Sequence, residues 1–168
     1  PDLPIYGTKF TLEILRRDLE ENDIKATNIK EIRPHSKLTF GDLVIFPISV
    51  THSIPDAVCF VLYTEDGAIF YTGNFAFDPT MLGGYKTDIG KLAYVGKQGV
   101  LCLMSESMYA DKVGYTSPNN RIENIVMEAI VKANGRVLFN IFEAQFYRIQ
   151  ELFNVATLLD KKVVILGK

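Results

Sequence analysis

Residues 57–78 read AVCFVLYTEDGAIFYTGNFAFD, and this stretch decides the fold. Two runs rich in β-branched and aromatic residues flank Glu65-Asp66-Gly67, the pattern of a β-hairpin closed by a tight turn. The second run stops abruptly at Thr72-Gly73 and leaves a lone amide, Asn74, before Phe75, Phe77 and Asp78-Pro79. A buried strand that ends on a held polar side chain marks the kind of strand tip where α/β proteins keep their chemistry. An amide at this tip raises a question, because an acid there could bind a metal or move a proton.

Working outward, KLTFGDLVIFPISV (37–50) predicts a second hairpin that turns at Gly41-Asp42. Upstream, a short strand Leu3–Tyr6 leads through Gly7-Thr8 into TKFTLEILRRDLEEN (8–22), where Phe10, Leu12, Ile14, Leu15 and Leu19 form the apolar face of a helix. Thr8 is placed to cap it. A brief strand follows at Lys30–Arg33. Downstream, the pattern predicts a helix over 87–95, a buried strand over 99–105, a helix over 120–133, a strand over 136–142, a helix over 144–159 and a strand over 163–166. Hairpins dominate before GYTSPNN (114–120), and helix–strand alternation dominates after it, which predicts parallel βαβ winding. A domain boundary is therefore expected there, dividing residues 1–115 from 116–168.

With 168 residues, 48% hydrophobic and 23% charged, the chain suits a compact soluble domain or one domain and part of another. A formal net charge of −2 supplies no overall field toward nucleic acid or membrane, though it leaves a local basic groove open. No apolar run approaches the roughly 20 residues of a membrane-spanning helix. Pro1-Asp2-Leu3-Pro4 lacks an initiating Met and a basic leader, and the far end stops just after an apolar run, so the chain is expected to be a piece of something longer. Cys59 and Cys102 each sit in an apolar run and are expected to be small buried core residues. Neither belongs to a CxxC pair, and the absence of a disulfide framework fits a cytoplasmic protein.

Three polar residues each close an apolar strand: His52 in SVTHSIPDA, Asn74, and Glu106 in CLMSESMYAD. Taken singly, two of them have a structural explanation. His52 fits a satisfied turn residue, and Glu106 between two serines fits a helix cap. Three such tips in succession point to convergence on one edge of a sheet, where an acid such as Glu106 could orient a metal-bound histidine. His35, in RPHSKL, reads as a surface turn residue with no role.

The stretches THSIPDAVCFVLYTEDGAIFYTGNFAFDPT (51–80) and YKTDIGKLAYVGKQGVLCLMSESMYADKVGYT (85–116) resemble the middle of the ribonuclease J family. That family belongs to the nucleic-acid-cleaving β-CASP branch of the metallo-β-lactamase superfamily. The resemblance runs from PIYGTKFTLEILRRDL (4–19) to GRVLFNIFEAQFYRIQELFNVA (135–156) and covers nearly the whole chain. It implies an α/β fold: part of an αββα metallo-β-lactamase sandwich, then the start of a parallel β-CASP domain. It also implies a cytoplasmic hydrolase that cuts RNA with two zinc ions, or with manganese or magnesium in their place.

By the same resemblance, His52 matches a metal-binding histidine and Ser53 beside it a contact to RNA. Position 74 matches an aspartate that bridges both metals, within a family pattern YTGDFKFD. Glu106 matches the first acidic motif of the β-CASP branch. The main HxHxDH motif belongs upstream of Pro1, and two later motifs belong beyond Lys168. An Asn offers one neutral carbonyl oxygen where the bridging carboxylate offers two anionic ones. Asn74 therefore implies a weakly active or inactive copy, of the kind that pairs with an active paralogue in a homo- or hetero-oligomer. This chain alone is expected to hold no zinc. The family's Ser-Asn-Ile-His-Arg segment near the RNA path is here Ala144-Gln145-Phe146-Tyr147-Arg148, which keeps only the Arg as an RNA contact. The competing readings are an active two-metal nuclease in which water or Glu106 compensates for Asn74, a non-catalytic scaffold subunit of an RNA-degradation complex, and, more distantly, a small-molecule lactam hydrolase.

Overall fold

A computed structural model describes residues 3–114, 122–142 and 144–166. The chain divides into two compact units, Pro1–Gly114 and Tyr115–Lys168. The fold is mixed α/β. The first unit opens with β1 (Ile5–Gly7), α1 (Lys9–Glu21) and β2 (Ile29–Glu31). β1 and β2 pair in parallel, so α1 is their crossover. Five strands then form one sheet in the order β3 (Leu38–Phe40), β4 (Leu43–Ser49), β5 (Val58–Thr64), β6 (Gly67–Tyr71) and β7 (Cys102–Met104), with α2 (Ile89–Gln98) leading into β7.

Both expected hairpins are present. β3 and β4 turn at Gly41, whose φ of 60° a glycine adopts without steric cost. β5 and β6 turn at Glu65-Asp66, and Thr64 pairs with Gly67. Strand direction places the site. β4 and β6 both run antiparallel to β5, and β7 runs parallel to β6, so β4, β6 and β7 point the same way. Their carboxyl ends, and the amino end of β5, share one edge of the sheet.

The two-residue period of the strands divides the side chains between the faces. Ile48, Val50, Cys59, Val61 and Ala68 form one face and pack with Val95 of α2, supported by Phe46, Phe70 and Leu92. Ile45, Phe60, Leu62, Ile69 and Tyr71 alternate with them and line a wholly apolar groove of about 460 Å³, into which Tyr6 and Ile32 also reach. Tyr6 meets Phe40 edge to face, with ring centroids 5.3 Å apart. Helix α2 thus covers one side of the sheet and the β1–α1–β2 unit approaches part of the other, the α/β layering that the resemblance implies.

Two expectations need correction in and after this sheet. The run 99–105 does form a strand, but β7 is short and exposed; Leu103 keeps 64% of its surface. Among the described residues β7 pairs only with β6, and Cys102 on it is exposed while Cys59 is buried as expected. In the second unit the helices are present as α3 (Glu123–Lys132) and α4 (Phe146–Leu158). The expected start of the first helix at residues 120–121 lies outside the described residues, as do residues 115–120 of the expected boundary. The expected strands do not form: 136–142 and 163–166 have no ladder partner, and Leu138 and Leu166 are more than four-fifths exposed. A strand exists only through its neighbour's backbone, and no described segment supplies one. The parallel winding of this chain is found instead in the first unit, around α1 and between β6 and β7.

Candidate functional site

The shared strand edge is stitched by threonines. Thr51, just past β4, is 1% exposed. Its N–H donates to Thr87 Oγ1 at 3.0 Å and its carbonyl accepts from Ala76 N–H at 2.7 Å. Its hydroxyl donates to the Ala76 carbonyl, lies 3.0 Å from Thr87 Oγ1, and accepts from Asp78 N–H at 3.3 Å. Thr72 does the same beyond β6: its N–H donates to the Met104 carbonyl at 3.0 Å, and its hydroxyl oxygen accepts from Glu106 N–H at 3.2 Å. The segments after β4, β6 and β7 are therefore bonded to one another.

His52 follows Thr51 and is half-buried, with Nε2 3.2 Å from Ser53 Oγ. Burial pushes its pKa below the ordinary histidine value, and the nearby Glu106 carboxylate pulls it back up by a smaller amount. Glu106 also reaches the Phe75 N–H, Oε1 lying 3.5 Å away. His52, Ser53 and Glu106 are thus brought together. Asn74 is exposed on the loop, one residue before the Phe75 amide that Glu106 contacts. Gly73 beside it turns the chain with φ of 56°.

Arg148 lies on α4 in the second unit, where it donates to Glu151 Oε2 at 2.9 Å. Glu151 is only 3% exposed and also faces the Ile122 N–H at 3.5 Å, so Arg148 is engaged as the counter-ion of a buried acid.

Sequence reasoning missed several members of the first-unit edge. Thr51, Thr72 and Thr87 hold it together; Thr51 and Thr72 carried only the signal of a hydroxyl residue just past a strand, and Thr87, before α2, carried none. His35 does sit in a turn, with φ of 68°, but it also pairs with Asp88 Oδ2 at 3.1 Å and stacks on Phe46. Asp88 in turn caps α2 by accepting from Lys91 N–H at 2.9 Å. A cavity of about 370 Å³ opens beside this pair, lined by Asp56, Tyr85, Lys86 and Thr87 among others.

Two zinc ions need several anionic or imidazole donors each. The strand edge offers one imidazole, one carboxylate and a neutral amide, and among the described residues no three His, Cys, Asp or Glu side chains come together as a cation site. The described donors by themselves do not make up a two-metal centre.

No protein-family model matches the chain. It is 36% identical over 168 residues, 99% of its length, to ribonuclease J 2 of Staphylococcus aureus, and spans 30% of that protein. It is 34% identical over the same length to ribonuclease J 2 of Staphylococcus saprophyticus, again 30% of the relative. Among solved structures, a protein of unknown function from Enterococcus faecalis V583 overlays 90% of this chain and 39% of its own at a TM-score of 0.63. That pair is 18% identical, so the likeness is one of fold.

Proposed function

We propose that this chain, which belongs to the ribonuclease J family, is part of a protein of RNA processing and decay in which this copy cuts RNA weakly or not at all. In this reading residues 1–115 are metallo-β-lactamase-type sequence and 116–168 begin the β-CASP-type sequence. The whole protein is a cytoplasmic hydrolase of the exonuclease and endonuclease type. It acts on RNA, including ribosomal precursors, beside an active paralogous subunit.

The observation that carries this reading is the strand edge itself. His52, Ser53 and Glu106 meet there, and the loop that closes the edge carries an amide at Asn74. An amide neutralises none of the charge of two cations about 4 Å apart, a separation typical of two-metal sites. His52 serves as the surviving imidazole donor, and Glu106 orients it. A scaffold role without RNA contact at α4 draws support from Arg148, whose guanidinium is bonded to buried Glu151.

The test is Asn74→Asp in the full-length protein, with metal affinity by calorimetry and cleavage of a 5′-monophosphorylated RNA. We expect tighter zinc or manganese binding, with cleavage rising at subsaturating metal. If affinity and cleavage both stay unchanged while the upstream histidine motif is intact, position 74 does not control the site and this reading of Asn74 fails.

A further inference from the structure

We propose that His35 is a positioning residue for His52: with Asp88 it latches the amino end of α2, and the latched Thr87 holds the end of β4 that His52 follows. The inference rests on the proposed role of His52 as a metal donor, and deepens it with a residue read from sequence as a plain surface turn.

The Asp88 carboxylate is used as a fork. Its Oδ1 accepts from Lys91 N–H at 2.9 Å and so caps α2. Its Oδ2 lies 3.1 Å from His35 Nε2. One oxygen secures the helix end to itself, and the other secures it to the turn around His35. That turn is fixed in its own right. Ser36 Oγ donates to the Arg33 carbonyl at 2.6 Å, and His35 N–H donates to the carbonyl of buried Pro47 in β4 at 2.7 Å. The imidazole stacks on Phe46, with ring centroids 6.0 Å apart and planes 12° from parallel. Held on one face by Phe46 and at its backbone by Pro47, the ring presents Nε2 to Asp88. The contact needs only a proton on that nitrogen, so it forms with a neutral or a charged imidazole.

The latched helix end grips β4. Asp88 N–H donates to the Ser49 carbonyl and Thr87 Oγ1 accepts from Thr51 N–H, both at 3.0 Å. Thr87 Oγ1 also lies 3.0 Å from the Thr51 hydroxyl. These contacts bracket Val50 and carry the hydrogen bonding of β4 past its last residue, up to the residue before His52. The route runs from His35 through Asp88, Thr87 and Thr51 to His52, and every step in it is a hydrogen bond or a peptide bond.

Packing alone does not set this spacing. A cavity of about 370 Å³ adjoins the pair, and His35, Lys86, Thr87 and Asp88 all line it, so side chains do not fill the space around the latch. Where interdigitated side chains do not fix two segments, a directional polar contact does. His35 also has φ of 68°, a left-handed conformation that a glycine takes without steric cost. A turn alone would need no ring there; the latch does.

The test uses the full-length protein without RNA or metal, ring-labelled at histidine, with the His52 signal assigned by its loss in His52→Gln. His35→Gly suits the positive φ and deletes the ring while keeping the N–H that bonds Pro47. Asp88→Ser keeps an oxygen to cap α2 but has no second one for His35. Both should move the His52 ring resonances in the same direction. Both should quicken exchange of the Thr51 amide about two- to fivefold, the factor expected for a pair whose side chains keep 40% and 30% of their surface. The double variant should move neither readout beyond the larger single effect, because both changes cut one contact. The proposal is overturned if His52 resonances in folded His35→Gly superimpose on wild type, or if the two effects add in the double variant. Should His35→Gly not fold, unmoved His52 resonances in Asp88→Ser overturn it. Neither RNA nor metal enters, so failure here is separate from failure of the nuclease reading, which Asn74→Asp tests.

Discussion

Replacing Thr51 by Val should loosen the strand edge while leaving its volume almost unchanged. Thr51 is 1% exposed, and Val removes only the hydroxyl. Two backbone bonds survive, from Thr51 N–H to Thr87 Oγ1 and from Ala76 N–H to the Thr51 carbonyl. Three hydroxyl contacts do not: those to the Ala76 carbonyl, Thr87 Oγ1 and Asp78 N–H. Ala76 is exposed and its carbonyl can turn to water, which moderates the penalty. At about 1 kcal/mol for each of two effective bonds, the loss is about 2 kcal/mol. For a chain of this size that lowers Tm by about 4–8 °C. Thr51→Ser keeps the hydroxyl and gives up one methyl, about 0.8 kcal/mol. Thermal unfolding followed by circular dichroism measures the difference, and hydrogen exchange locates it: the Asp78 amide should lose protection while Ala76 keeps its own. If Thr51→Val melts within about 1 °C of wild type, or Thr51→Ser costs as much as Thr51→Val, the hydroxyl is not what holds the edge.

The remaining predictions concern titration and thiol access. His52 has a folded-state pKa lowered by burial, so its contribution to stability is present above the unfolded value of about 6.5 and is lost as pH falls through the lowered one. Glu106→Gln removes the influence that raises it, so an NMR titration should find His52 lower still; a value that rises or stays put would separate Glu106 from His52. Burial pushes the Cys59 thiol up to about 11, whereas Cys102 is exposed on β7. Alkylation of the folded chain at mildly alkaline pH should label Cys102 about tenfold faster or more, and equal rates by mass spectrometry would mean that β7 is covered or the core is open.

The hairpins were legible because their signals are local. Alternation in AVCFVLYT and GAIFYTG, and the turns at Gly41-Asp42 and Glu65-Asp66, are satisfied by residues adjacent in sequence. The runs at 136–142 and 163–166 carry strand-like composition too, yet composition cannot supply a ladder partner, and none is present among the described residues. The same limit explains Cys102. An apolar run predicts burial on average, but whether a strand is central or at an edge depends on what lies beside it. Among the described residues β7 pairs only with β6, and its exposure follows from that.

Site residues divide along the same line. His52, Asn74 and Glu106 could be picked out because each interrupts an apolar strand. Their succession pointed to one edge of a sheet, and the strand directions bring the segments that carry them to that edge. The roles of Thr51 and Thr72 in joining the edge could not be picked out, since they join it through partners at least 25 residues away in the chain. The amide at position 74 also has an electrostatic side, set by its neighbours. Glu106 contacts the amide next to Asn74 and raises the pKa of His52. An aspartate at 74 would set a second anion on that loop, and only bound cations would offset the repulsion between the two carboxylates. Where the rest of a site no longer gathers cations, a neutral side chain of the same shape removes that cost. On the proposed function, a neutral Asn74 beside Glu106 suits a strand edge of lowered negative charge.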